Sequence, residues 1–87
     1  MKKVNFNQFE LFVDIDKTKS IVKDVRKAIA NMVYTNFVGL AAHALALKIY
    51  NADGEIELDE DECRILLDCS EVAASPSLID SIRKALA

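Results

Sequence analysis

Apolar and polar residues alternate from Phe9 to Ile15, with Phe9, Leu11, Val13 and Ile15 on one face and Glu10, Phe12 and Asp14 on the other. A period of two predicts a β-strand with one buried face. The alternation breaks at Asp16 to Lys19, and the residues beyond the break support two readings. In the first, a helix begins near residue 18. Val22, Val25, Ile29, Met32 and Val33 then share an arc with Ala28 at its edge, and Lys19, Lys23, Arg26 and Lys27 take the neighbouring arc. In the second, residues 16–19 turn a hairpin, residues 20–23 pair with the first strand, and Asp24 caps the helix. Both place a helix from Val25 to about Tyr34.

Thr35 and Asn36 mark a break, after which the run FVGLAAHALALKIY to Tyr50 has no polar face. On a helical wheel Val38, Leu45 and Ile49 form one large apolar arc, Leu40 and Leu47 a second, and Gly39, Ala42 and Ala46 a strip of small residues. A helix apolar all round is expected to be buried all round. Exposing both Leu40 and Leu47 would forfeit roughly 3–6 kcal/mol, a large share of the ~5–10 kcal/mol that holds a small domain together. Either the other helices surround this one completely, which is hard for so short a chain, or, as expected here, a second copy packs on it through Gly39, Leu40, Ala42, His43, Ala46 and Leu47.

Beyond that helix, Gly54 has the character of a left-handed C-terminal residue, and residues 55–58 read as a short strand. Asp59 with Glu62 forms a capping-box start for a helix to about Val72, burying Ile65, Leu66, Cys69 and Val72. Pro76, after Ser75, opens a final helix to Leu86 that buries Leu78, Ile79, Ile82 and Leu86. The predicted fold is therefore one α+β domain over residues 1–87, predominantly helical. It has an N-terminal strand or hairpin, one further short strand and three to four helices.

Composition narrows the functional classes. Eighty-seven residues with 52% apolar and 29% charged content are globular rather than disordered. The N-terminal stretch reads as neither signal peptide nor membrane span, so a cytoplasmic protein is expected. Cys63 and Cys69, six residues apart, would be separated on one helix by about 9 Å of rise and roughly 240° of rotation, beyond disulfide reach. They read as reduced apolar side chains, and neither C-x-x-C nor H-x-x-H spacing supports zinc. The net charge of −3 hides a polarity: residues 1–50 carry eight Lys/Arg against four Asp/Glu, residues 51–87 three against ten.

Candidate chemistry is confined to a few short segments. The segment from Ile49 to Glu60 resembles an EF-hand loop, with Gly54 at the sharp turn, Ile56 at the eighth position and Glu60 at the twelfth. The resemblance implies that Asn51, Asp53, Glu57 and Glu60 would offer side-chain oxygens to calcium and Glu55 its carbonyl. Ile49 occupies the first position, where a carboxylate belongs, and no second loop accompanies it. The basic set Lys19, Lys23, Arg26 and Lys27 would form a phosphate-binding stripe if the long helix forms, although it lacks interleaved aromatics. The acidic run from Glu55 to Glu62 reads as a solvated strand and helix start. His43 lies one heptad before Tyr50, but no nucleophile or carboxylate is set beside it, so it reads as an interface or core residue. Two isolated glycines exclude a phosphate-cradling loop.

The layout of an N-terminal strand, a helix ending in MVYTN, then HALALKIYNADGEIEL and a closing SPSLIDSIRKAL resembles small uncharacterised proteins of bacterial prophages and mobile elements. That resemblance implies a non-enzymatic accessory protein acting through its surface, with no cofactor. The expected function is a self-associating interaction module with a protein partner; the alternatives are a calcium-binding module and a weak nucleic-acid binder.

Overall fold

The computed structural model describes residues 2–87. The elements run β1 (Lys2–Asn5), β2 (Phe9–Phe12), β3 (Ser20–Lys23), α1 (Arg26–Asn36), α2 (Leu40–Tyr50), β4 (Glu55–Leu58), α3 (Glu60–Ala73) and α4 (Pro76–Ala85). Two small antiparallel sheets result. β1 pairs with β4, Val4 lying opposite Ile56, and β2 pairs with β3, Leu11 lying opposite Ile21. The hairpin reading of residues 16–23 is therefore the correct one. Lys17, at φ +60°, turns the chain, and the Asp16 carboxylate accepts hydrogen bonds from the Thr18 N–H and hydroxyl.

The helix starts obey local chemistry. At α3 the capping box is complete: Glu62 N–H donates to Asp59 Oδ1 at 2.8 Å and Asp59 N–H to Glu62 Oε1 at 3.0 Å. Ser75 caps α4 by accepting from Leu78 N–H at 3.3 Å, with Pro76 in the first turn. α1 starts one residue later than expected. Val25 takes the cap position, and Asp24 instead accepts from the Arg26 N–H and its guanidinium. α1 ends where Thr35 and Asn36 fold back onto the carbonyls of Asn31 and Met32. Gly39, at φ +101°, turns the chain into α2, so residues 37–39 lie outside the helix.

One core joins both sheets to the four helices. Phe6, Ile29, Val33, Leu45, Ile49, Leu58, Leu66, Cys69 and Ile82 are wholly or almost wholly buried. Phe6 stacks on Phe9 with ring centroids 5.8 Å apart, and its carbonyl accepts the Val25 N–H at 2.9 Å. The radius of gyration, 12.0 Å, equals the roughly 12 Å expected of a compact chain of this length, so the core closes within one copy. Among the described residues no helix is long and apolar enough to cross a membrane.

Several sequence expectations are corrected. β2 stops at Phe12, because Val13 and Ile15 lie in the hairpin loop, Ile15 at 99% exposure. β1 was not anticipated. Asn51, not Gly54, caps α2, and Gly54 at φ +86° bends the chain into β4. Val72 is 75% exposed near the end of α3, on a turn that nothing covers. Phe6→Ala should cost about 3–5 kcal/mol in urea unfolding and Val72→Ala less than about 0.5 kcal/mol. Equal losses would contradict this division between core and surface.

Candidate functional site

α2 carries large apolar side chains on two sides but buries only one of them. Leu45 and Ile49 point into the core, and so do Ala42 and Ala46, whose small side chains face inward where α2 packs on α1. The expected interface set is thereby divided: Ala42 and Ala46 are unavailable to a partner, and Gly39 sits exposed at the helix start. Leu40 at 87% exposure, His43, Leu47 at 48% and Tyr50 form an outward stripe, at the three-and-four spacing of one helix face. α1 adds Tyr34, whose ring centroid is 5.9 Å from that of His43. Behind them, Ala30, Asn31, Tyr34, Ala46, Leu47 and Tyr50 line a shallow groove of about 160 Å³. His43 stands in this exposed face with the Tyr34 ring as its aromatic neighbour.

The EF-hand-like segment does not gather its oxygens. The twelve positions span the end of α2, a turn, a four-residue strand and the first residue of α3. β-pairing sends Glu55 and Glu57 outward and Ile56 and Leu58 inward, so Asn51, Asp53, Glu55, Glu57 and Glu60 do not surround a common point. No group of three His, Cys, Asp or Glu side chains able to hold a metal occurs among the described residues. Ile49, at the first position, is buried core. The segment carries a positive charge of its own instead. Lys48 Nζ donates to the Glu57 carbonyl at 2.6 Å and to both Glu62 carboxylate oxygens at 3.0 and 3.1 Å. This ammonium ties α2, β4 and α3 together, and Gly54 N–H donates to Asn7 Oδ1 at 3.0 Å to fix the turn.

The basic set is likewise divided by the hairpin. Lys19 lies in the loop, Lys23 on β3, and Arg26 and Lys27 on α1. Arg26 is engaged by the Asp24 carboxylate and by the Ala52 carbonyl at 2.8 Å, so it is not free for a phosphate. Asp24 is held below the usual carboxylate range by these Arg26 hydrogen bonds. Glu10 is lowered in the same way by Lys84 and Ser20. Lys19, Lys23 and Lys27 make no ion pair among the described residues. The thiols are quiet: burial pushes Cys69 up, and burial together with Asp59 and Glu62 does the same for Cys63. Sequence reasoning missed Tyr34, Lys48 and the outer edge of β3. Only Lys48 had a legible signal, as the one cation of its helix, ahead of an acidic run.

This geometry has two measurable outcomes. Lys48→Met should cost about 1 kcal/mol in chemical unfolding, and millimolar calcium should restore none of it; recovery with calcium would revive the ion-binding reading. Because Asp24 and Glu10 have lowered pKa values, the stability they add is present above their ordinary values of 3.8 and 4.5 and is lost as pH falls through the folded values. Melting temperatures measured down an acid series should therefore fall less steeply in Asp24→Asn than in the wild type. No family model, curated protein or solved structure matches this chain, so the surface just described stands on its own geometry.

Proposed function

We propose that this protein is a small non-enzymatic interaction module that self-associates through the outer face of α1 and α2. The observation that carries this reading is the stripe of Leu40, His43, Leu47 and Tyr50, flanked by Tyr34, on the solvent side of a helix whose other side is core. Covering Leu40 alone is worth about 1.5–3 kcal/mol, and a like face on a second copy supplies that cover without any further chain. Aromatic rings rimmed by polar groups suit such a contact, since Tyr and His keep a polar end in water while burying the ring.

The same surface argues for binding over catalysis. His43 stands beside the Tyr34 ring, and both thiols are held protonated. Two free cysteines, one wholly buried, fit a reducing, cytoplasmic setting. An accessory role for such a module agrees with a layout that resembles small prophage proteins.

Light scattering on the wild type, Leu40→Glu and Leu47→Glu decides the matter. The wild type should have the mass of a dimer at micromolar concentration, and both variants that of a folded monomer with unchanged circular dichroism. A monomeric wild type, or variants that stay dimeric, would remove this reading.

A further inference from the structure

We infer that the outer edge of β3 is a strand-addition site for an extended partner segment bearing two carboxylates that flank a central apolar residue. The edge is open because of the hairpin's hydrogen-bond alternation. Val13 N–H donates to the Lys19 carbonyl at 3.1 Å, and the register pairs Leu11 with Ile21 and Phe9 with Lys23. The odd-numbered residues of β3 thus exchange hydrogen bonds with β2, which leaves the N–H and C=O groups of Ser20 and Val22 pointing away from the hairpin. On the opposite side α4 packs against β2 and takes up the outward groups of Phe12. Phe12 N–H donates to Ser81 Oγ at 3.0 Å, and the Phe12 carbonyl accepts from the Ser77 hydroxyl, both from α4. All four residues of β3 are exposed, so its outer ladder is open to a further strand.

Charge selects the occupant. Lys19, Ile21 and Lys23 share one face of the strand, and neither lysine makes an ion pair among the described residues. A second copy paired antiparallel about Ile21 would set each Lys19 directly against the other copy's Lys23, a repulsive cross-strand arrangement. A partner strand with carboxylates opposite Lys19 and Lys23 turns the same positions attractive. Its central side chain would lie beside Ile21, over a groove of about 310 Å³ lined also by Leu11, Val25, Ala28, Ile29 and Leu78. On the other face Val22, 68% exposed, offers a second apolar contact. The required pattern is acid, any, apolar, any, acid, and main-chain hydrogen bonds would supply the rest of the affinity.

The capped peptide TEVIVET and its lysine counterpart TKVIVKT test this. TEVIVET should slow amide hydrogen exchange at Ser20 and Val22 in the wild type and bind about tenfold more tightly than TKVIVKT at low salt. The Lys19→Glu, Lys23→Glu double variant should reverse that preference. Val22→Pro, which removes an outward donor, should abolish the protection of Ser20. Unchanged exchange at Ser20 and Val22 with both peptides would overturn the inference. So would equal binding of the two, or protection of these amides that grows with protein concentration when no peptide is present.

Discussion

Phe6 connects parts of the molecule that are far apart in sequence. It lies between β1, which pairs with β4 some fifty residues later, and β2, which begins the hairpin. Its ring is wholly buried against Phe9, and its carbonyl accepts the N–H of Val25 at the entrance to α1. A two-stranded sheet is marginal in water by itself, and this chain has two of them. Both persist because one aromatic anchor fixes them to the same helical core. The rest of the architecture depends on that junction: α1 packs on α2 and α3, and α4 closes against β2.

Punctuation was the most legible part of the sequence. The Asp59 and Glu62 pair and the Ser75-Pro76 start each act within one helical turn, so the chemistry that places the helix is written beside it. β1 was illegible for the opposite reason. Its four residues, KKVN, include one inward apolar side chain, Val4, and its partner β4 lies some fifty residues away along the chain. The all-round apolar character of α2 was plain, but which arc faces inward was not. Periodicity alone suggested that the alanines would be a contact strip for another copy. Instead Ala42 and Ala46 join Ala30 in the core where α2 packs on α1, and Leu40 and Leu47 remain outside. The candidate sites that failed to assemble did so because strand pairing scattered them. A hairpin separated the lysines, and a β-strand spread the acidic side chains of the loop that resembled a calcium site.

Charge behaves in a related way. The basic first half and acidic second half suggest two opposed surfaces, yet the fold places them in contact. Lys17 approaches Asp80, and Lys48 reaches Glu62, while Glu10 and Lys84 pair in the reverse sense. Most of these pairs are half exposed and add little to stability. Their effect is to use up cations from the first half, so that Lys19, Lys23 and Lys27 stand out as the local positive surface.

The two serines of α4 that hold Phe12 set a limit on assembly. Ser77 and Ser81 are one turn apart on one helix face, and they take up the backbone N–H and C=O of Phe12, which a further strand on β2 would need. The hairpin sheet is therefore one-sided at Phe12. Two hairpins brought together at β3 would each present the serine-held Phe12 at the outer border. Extension of this sheet into an endless ribbon is thereby opposed at the Phe12 end of β2.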